Sequence, residues 1–294
     1  MTRWALGVGL LSASILLVFS GRGYASHEPF DVYEDWSNPT IRSDRWRGGD
    51  FGGTPLNAAG EPTMGAAAEV TREIAHGHTG FLHLRYRRNG GTASSVGGAG
   101  NSNFLDLTRP LSVDQLEASF VVDDPVTVTA CPENDTSRAR PARLLLGRLN
   151  NGQGADLVDR TGDLFAGTQA QRDSASMDPP GILRVVGFLT RCDNAGCTAT
   201  TTLNSVQLST VTVGIPFTLR VIWDAPNQRF LFGLDSNPNL PLVYDPTVFF
   251  REARLPFADT SVLHTTANCV GGPAVVDSSV RVGEFRTNTS AIIP

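Results

Sequence analysis

The stretch Phe217-Thr-Leu-Arg-Val-Ile-Trp-Asp224 decides the fold of this chain, because apolar residues recur along it at every second position. After the turn Ala-Pro-Asn-Gln, the stretch Arg229-Phe-Leu-Phe-Gly-Leu-Asp235 repeats the alternation. Side chains two residues apart in a strand point to the same face, so each stretch has one apolar face. The pattern predicts a β-hairpin on a hydrophobic core, with Trp223 facing the core and its indole N–H in need of a hydrogen-bond partner.

Short strand-like runs recur along the rest of the chain, and no long stretch has the 3.6-residue periodicity of a helix. We predict further strands at 68–74, 81–87, 104–107, 116–122, 126–130, 144–149, 182–190, 198–208, 242–244 and 279–285. The Gly-rich or polar segments 47–65, 89–103 and 150–180 are predicted to be long loops. Many short strands without interleaved helices predict an all-β fold, an antiparallel sandwich or barrel.

The N-terminal segment has the composition of an export signal. Arg3 supplies a positive charge, residues 5–19 form an apolar run, and Gly23-Tyr-Ala25 supplies the small residues of a cleavage site. The run is shorter than the roughly 20 apolar residues that span a bilayer. We therefore expect a signal peptide at 1–25, a single domain at 26–287 and a frayed tail at 288–294, in a protein that is secreted or periplasmic without a membrane span in its mature chain.

The charged residues are acidic in balance and unusual in type. All 24 basic residues are arginines, and the 29 acidic residues leave a formal net charge of −5. An acidic surface argues against nucleic acid as a partner, since that affinity comes from cations that meet phosphates. Codon bias in a GC-rich genome explains the missing lysine; recognition of carboxylates or sugars by arginine is the alternative.

The cysteines Cys131, Cys192, Cys197 and Cys269 predict two disulfides in an exported chain. Three pairings are possible for four cysteines. Cys192 and Cys197 enclose a turn-like tetrapeptide between two apolar strands, which favours their pairing and leaves Cys131 with Cys269. A Cys-x4-Cys metal site is the competing hypothesis, although no second pair of ligands lies at a matching spacing nearby.

Three segments carry a family resemblance. They are Phe30-Asp-Val-Tyr-Glu-Asp-Trp-Ser37 with Ile41-Arg-Ser-Asp-Arg-Trp46, Phe217-Thr-Leu-Arg-Val-Ile-Trp-Asp224 with Arg229-Phe-Leu-Phe232, and Val280-Arg-Val-Gly-Glu-Phe285. Together they resemble the concanavalin A-like jelly-roll superfamily, which includes laminin-G-like domains and laminarinase-type glycosidases. The likeness is to bacterial secreted members without assigned chemistry. It implies a jelly-roll sandwich whose first and last strands lie side by side.

The glycosidases of this superfamily carry Glu-x-Asp-x-Glu, in which one strand presents two carboxylates for hydrolysis. The motif is absent here, and Glu69-Val-Thr-Arg-Glu73 lacks its middle Asp. We therefore predict a secreted, non-catalytic binding module with a glycan as its ligand. The alternatives are a polysaccharide hydrolase or lyase with a non-standard site, and a structural protein of the envelope.

An aromatic-rich opening is predicted to bind that glycan, because aromatic rings stack on sugar rings and arginine forks bind hydroxyl edges. Its residues are Tyr33, Trp36, Arg45, Trp46 and Arg47. The alternative is that the rings cover one end of the sandwich, since aromatic residues are more often buried than displayed.

Asp156, Asp159 and Asp163 are the candidate ligands for calcium. They combine three carboxylates with Gly162 in one polar segment, and Ca²⁺ prefers several oxygen ligands held by a turn. Calcium on the rim of the sandwich is also what the laminin-G-like resemblance implies. The spacing fits no EF-hand, and a solvated acidic loop is the alternative.

Overall fold

Strands account for nearly all the regular structure of the chain. The computed structural model describes residues 28–38, 40–47, 70–77, 80–154 and 158–292. The strands are β1 (Phe30–Glu34), β2 (Trp46–Arg47), β3 (Val70–Gly77), β4 (Phe81–Asn89), β5 (Gly98–Leu107), β6 (Gln115–Val122), β7 (Thr127–Val128), β8 (Arg138–Asn150), β9 (Asp163–Asp173), β10 (Ile182–Cys192), β11 (Thr200–Thr212), β12 (Phe217–Asp224), β13 (Arg229–Leu234), β14 (Leu240–Val243), β15 (Arg251–Ala267) and β16 (Val275–Asn288). Short 3-10 turns at Pro110–Ser112, Ala225–Asn227 and Thr289–Ala291 are the helical elements of the described ranges. None of these turns has the length or the hydropathy that a membrane-crossing helix needs.

Two antiparallel sheets form a sandwich, which confirms the predicted fold class. The nine-stranded sheet has the order β14-β13-β12-β6-β16-β4-β3, with β1 and β7 also paired to β16. The seven-stranded sheet has the order β11-β10-β9-β8-β15-β5-β2. The inward side chains of both sheets form one large hydrophobic cluster, whereas a smaller cluster lies on the outer face of the seven-stranded sheet.

The predicted hairpin is confirmed. β12 and β13 pair with Leu219 opposite Leu234 and Trp223 opposite Phe230, so the alternating apolar residues of both strands enter the core. Trp223 is half-buried at the margin of this core, and its indole N–H donates to the hydroxyl of Tyr244 at 3.3 Å. The hydrogen-bond partner that the sequence required is thus a tyrosine from the segment after β14.

The first and last strands are neighbours, as the family resemblance implied. β1 pairs with β16, with Phe30 opposite Asn288. The side chain of Asn288 donates to the carbonyl of Ser112 at 2.8 Å, and both Asn288 and Ala291 are buried. Residues 288–292 are therefore held against the sandwich, and residues 293–294 of the predicted tail lie outside the described residues.

Both predicted disulfides are present. Cys131 pairs with Cys269 and Cys192 with Cys197, with Cα–Cα distances of 5.8 and 4.7 Å. The second bond closes the turn between β10 and β11, where the sequence placed it.

Two of the predicted loops contain strands. β5 begins at Gly98, inside the segment 89–103, and all of β9 lies inside 150–180. β9 escaped prediction because its core-facing side is built from small residues such as Ala166, Thr168 and Ala170, which give a weak hydrophobic alternation. The predicted signal peptide at 1–25, residues 48–65 of the first predicted loop and Asp156 lie outside the described residues.

Candidate active site on the outer face of the seven-stranded sheet

Polar and charged side chains from neighbouring strands meet on the outer face of the seven-stranded sheet. β8 illustrates how they are placed: Leu144 and Leu146 enter the core, whereas Arg143 and Leu145, on either side of Leu144, point outward. A register shift between Ala139 and Ala142 against β9 puts an extra residue into β8. Such a bulge lets Arg140 share the outward face with Arg143 although they are three residues apart.

One row of this face is acidic. Arg47 on β2 lies opposite Asp106 on β5, and Asp106 lies opposite Asp259 on β15. We call these three residues the acidic row. Directly opposed residues of antiparallel strands have Cβ atoms about 4.5–5.5 Å apart, so the two carboxyl groups are close neighbours. The guanidinium of Arg47 lies 4.0 Å from the Asp106 carboxylate.

The two acids of this row are largely withdrawn from water. Asp259 is 6% exposed, and the side chain of Asp106 is 15% exposed. Burial raises the pKa of the Asp259 carboxyl far above its usual range, and the neighbouring Asp106 raises it further. Burial also raises the pKa of Asp106, against the opposing effect of Arg47 and Arg160. Two close carboxyls cannot both ionise freely, so the pair retains a proton into the neutral range, mainly on Asp259.

The next row along the strands carries an amide network. Ser261 lies between Phe104 on β5 and Arg143 on β8, and Arg143 lies opposite Gln169 on β9. We call these four residues the amide row. Arg143 Nε donates to Gln169 Oε1 at 3.0 Å, and Gln169 Nε2 donates to Gln171 Oε1 at 2.7 Å. Each glutamine amide is thereby held in one orientation.

A depression of about 260 Å³ extends from the amide row across β8, β9, β10 and β11. Its lining is rich in hydroxyl, amide and guanidinium groups: Arg138, Arg140, Arg143, Gln169, Gln171, Thr190, Thr200, Thr202 and Ser205, with Phe165, Val186, Phe188 and Leu263 as the apolar members. This composition suits a ligand that has both hydroxyl edges and apolar faces.

Two polar atoms between these rows lack a hydrogen bond of ordinary geometry. They are Asp259 Oδ1 and Ser261 Oγ, both buried in the described part of the chain. The two side chains lie close enough for Ser261 to lower the pKa of Asp259, against the larger effect of burial. Buried polar atoms of folded proteins nearly always have a partner, and orphaned ones concentrate where a ligand or water completes the site. Both atoms belong to the outer face rather than to the core, and we therefore take this place as the candidate site.

An apolar cluster borders the acidic row. Phe165, Phe188 and Phe257 pack on Leu145 outside the sheet, and the Arg160 guanidinium lies 4.9 Å from the centre of the Phe257 ring. Gly167 makes this possible, because a Cβ there would come within 2.5 Å of the Phe188 ring. The cluster excludes water beside Asp259 and so strengthens the electrostatic effects within the pair.

The structure buries the aromatic residues that the sequence offered as ligands. Tyr33, Trp36 and Trp46 are 2%, 1% and 0% exposed. Trp36 and Trp46 stack at 5.2 Å, and the Trp36 indole donates to the carbonyl of Gly283 at 2.6 Å. Their rings close the end of the sandwich, which was the alternative to binding.

The two arginines of the same opening have different surroundings. Arg45 is tied to Tyr33: its guanidinium donates to the Tyr33 carbonyl and lies 5.5 Å from the ring centre. Arg47 is exposed and belongs to the acidic row. Among the five predicted ligand residues, Arg47 is the one that the structure brings to the acid pair.

The predicted calcium ligands are engaged locally. Asp159 accepts a hydrogen bond from the backbone N–H of Thr161 at 2.8 Å. Asp163 is fully buried and accepts from Asn150 Nδ2 at 2.6 Å, and burial raises its pKa to about 6. In the described part of the chain no three His, Cys, Asp or Glu side chains converge to hold a metal. With Asp156 outside that part, calcium binding remains a prediction.

The residues of the acidic and amide rows, apart from Arg47, were missed at the level of sequence. Asp106 and Asp259 are far apart along the chain, and no linear motif joins them. The available signal was a single acid inside each strand-like run, Phe104-Leu-Asp106 and Phe257-Ala-Asp259. Only strand pairing shows that the two acids are neighbours.

Comparisons with known proteins give weak similarities. No protein-family model matches the chain, and no curated protein matches it. Solved structures with a similar course of the chain include an endo-acting O-glycanase of the human gut microbiota (13% identity, TM-score 0.43, 92% of this chain and 93% of that chain covered). A second is the catalytic domain of the Thermotoga petrophila laminarinase (9%, 0.41, 88% and 97%). A third is the pseudo β-1,3-glucanase of Mycobacterium tuberculosis (12%, 0.36, 85% and 97%). Similarity at this level carries no conclusion about the activity of this chain.

Proposed function

We propose that this protein acts on a polysaccharide, which lies across the outer face of the seven-stranded sheet and is cleaved by the pair Asp106 and Asp259. The observation that carries the proposal is the acid pair itself. Asp259 is buried, Asp106 on the adjacent strand is largely buried, and both carboxyls have raised pKa values. Titratable groups perturbed in this way concentrate at active sites, because catalysis needs a proton donor near neutral pH.

The environments of the two acids assign them different roles. Asp259 retains its proton and is the general acid, which protonates the glycosidic oxygen as the bond to the anomeric carbon breaks. Asp106 faces Arg47, which favours its ionised form, and its carboxylate attacks the anomeric carbon. Water, deprotonated by Asp259, then displaces Asp106 and completes hydrolysis. Closely spaced carboxyls leave no room for a water between them, so the proposed reaction retains the anomeric configuration.

The lining of the depression supports a glycan as the ligand. Hydroxyl and amide groups follow one another across four strands, and a sugar chain offers matching hydroxyls along its length. Phe104 is partly exposed in the amide row, beside Ser261. Its ring is placed to stack on the apolar face of a sugar. The family resemblance in the sequence points to the same class of ligand.

The test is a reducing-sugar assay on a panel of soluble polysaccharides, with absorbance near 235 nm followed in parallel to detect elimination. We expect product from the wild type and at least a hundredfold loss in D259N and D106N, the scale typical of general acid–base catalysis. The matched control is D245N, which changes an exposed turn acid. Activity that survives in both D259N and D106N would contradict the assigned roles.

A non-catalytic glycan-binding module is the second candidate. It is favoured by the low exposure of Asp259, 6%, and by the missing Glu-x-Asp-x-Glu motif. A glycan array separates the two functions: retention of a polysaccharide without product release identifies the module. Either function suits a protein outside the cytoplasm, where disulfides such as Cys131–Cys269 persist.

A further inference from the structure

Two arginines in the depression lack an acidic partner. Arg143 is 7% exposed, and its hydrogen bond to Gln169 engages only Nε. Arg140 precedes Arg143 by three residues on β8, and its guanidinium donates to the Thr265 hydroxyl at 3.2 Å. Within the described ranges neither guanidinium has a carboxylate within 4.0 Å. Both line the same depression.

Two nearby arginines on this side of the sheet do have an acidic partner. Arg138 forms an ion pair with Asp173, and Arg184 forms one with Asp178 at 2.6 Å. The folding of the sheet therefore provides acids for these two arginines and leaves Arg140 and Arg143 without one. In a chain with five more acidic than basic residues, this is a local excess of positive charge.

The acid pair next to them does not cancel this charge. Asp259, the nearest acid that faces Arg143, holds a proton because of burial and of Asp106. Burial lowers the pKa of both Arg140 and Arg143, with the positive charge of Arg143 adding to the effect on Arg140. Guanidinium groups remain charged at neutral pH even so. The fold thus keeps two partly desolvated cations together, an arrangement that costs free energy unless an anion joins them.

We propose that Arg140 and Arg143 bind an anionic group, a carboxylate or a sulfate, of an acidic polysaccharide. This inference rests on the proposed function and names its substrate class. Planar guanidinium groups donate paired hydrogen bonds to carboxylate and sulfate oxygens. The free terminal nitrogens of Arg143, next to the Gln169 amide, offer such a set of donors.

The anion site lies close enough to the acid pair to select the bond that is cleaved. Arg143 is opposite Ser261, and Ser261 follows Asp259 by two residues on β15. Two residues of a strand span about 7 Å. A charged sugar held by Arg143 therefore places a neighbouring glycosidic bond over Asp259.

Binding measurements on pairs of polymers that differ only in charge test the proposal. Polygalacturonate is compared with its methyl ester, and chondroitin sulfate with chemically desulfated chondroitin whose uronates are esterified, by isothermal titration at 50 and 500 mM NaCl. We expect at least tenfold tighter binding of one charged member and a clear weakening at the higher salt concentration. A preference for polygalacturonate over its ester identifies a carboxylate site. Because chondroitin sulfate carries both carboxylates and sulfates, weaker binding after desulfation alone, with the uronates left intact, identifies a sulfate site.

Arginine variants connect the result to the site. R143Q and R140Q are expected to raise Kd at least tenfold, and R143K, which keeps the charge without the planar fork, to have an intermediate effect. R184Q, whose arginine is already paired and lies outside the depression, is the control and should remain within twofold. Thermal unfolding shows whether each variant is folded.

A second readout is independent of any sugar. The melting temperature is measured in 10 mM sodium sulfate and in sodium chloride of equal ionic strength. Sulfate should raise the melting temperature of the wild type by more than that of the double variant R140Q/R143Q. Equal binding of charged and neutral polymers overturns the inference and leaves the proposed function intact. A sulfate effect without binding of any polysaccharide overturns the proposed function instead. An absent sulfate effect together with unchanged affinity in R143Q overturns the anion site.

Discussion

His264 Nε2 lies 3.1 Å from Ser278 Oγ, across the interior that separates β15 from β16. The imidazole is fully buried behind the outer face that carries Asp259, and burial lowers its pKa to about 4. The histidine of the folded protein therefore stays neutral near pH 6.5, where the histidine of the unfolded chain begins to bind a proton. This contact links the two sheets through a group that must stay uncharged.

Acid should destabilise the protein through His264. The pKa of histidine in an unfolded chain is about 6.5, so the unfolded state binds the extra proton first as the pH falls. The contribution of His264 to the free energy of unfolding is complete above pH 6.5. It falls by about 3 kcal/mol in total as the pH is lowered towards 4. Urea unfolding of the wild type and H264Q at pH 7, 6, 5 and 4.5 measures this loss. H264Q should show a flatter dependence in this window; parallel curves would remove His264 as the cause.

Replacing Asp259 by asparagine should stabilise the protein while it abolishes the proposed activity. Because the folded-state pKa of Asp259 is raised, its contribution to stability is present below about pH 4 and is lost as the pH rises through the folded pKa. D259N removes the cost of ionisation, and we expect a gain above about 1.4 kcal/mol at pH 8, the equivalent of one pKa unit. Chemical denaturation at pH 4.5 and pH 8 is the measurement. A gain that does not grow with pH would show that Asp259 is ionised in the fold.

Gly187 lies where the two sheets approach each other closely behind the depression. A Cβ at this position would lie 2.4 Å from Cγ of Phe232, and a buried ring on the opposite sheet has no room to retreat. We expect G187A to lower the free energy of unfolding by about 1–3 kcal/mol, as overpacking does in other cores. G272A is the control, since nothing lies within 4 Å of its Cβ. Equal stability of both variants would contradict tight packing at this point.

The two disulfides should differ in their contribution to the free energy of unfolding. Cys131 and Cys269 are 138 residues apart, whereas Cys192 and Cys197 are 5 apart. Loop-closure entropy predicts losses of about 5 and about 2 kcal/mol when the bonds are removed. The pairs C131A/C269A and C192A/C197A, compared by denaturant unfolding, measure this difference. A larger loss in the short-loop variant would mean that the Cys192–Cys197 turn contributes beyond entropy.

Strands could be predicted from the sequence where large apolar residues alternate with polar ones. β12 and β13 have this pattern, and they pair as predicted. β9 did not emerge because small residues face its core and Gln169 and Gln171 face outward. Trp36 and Trp46 were predicted to bind a ligand because the sequence alone does not show whether an aromatic ring is buried. In the fold, the Trp36 indole N–H donates to the buried carbonyl of Gly283.

The candidate site could not be predicted for a related reason. The proximity of Asp106 to Asp259, and of Ser261 to Arg143, is set by the register of strands from distant parts of the chain. A linear motif is visible only when one strand carries all the chemical groups, as in the glycosidases that the chain resembles. Here the proposed groups are divided among β2, β5, β8, β9 and β15.

The place of β16 has a consequence for how the protein is made. This strand, Val275–Asn288, pairs with β1, β4, β6 and β7, and it is synthesised after all four of them. During translation these partners keep unpaired backbone groups until residues 275–288 have left the ribosome, since long-range pairings of this kind form late. A ribosome stalled before codon 275 should therefore display a nascent chain that proteases digest readily.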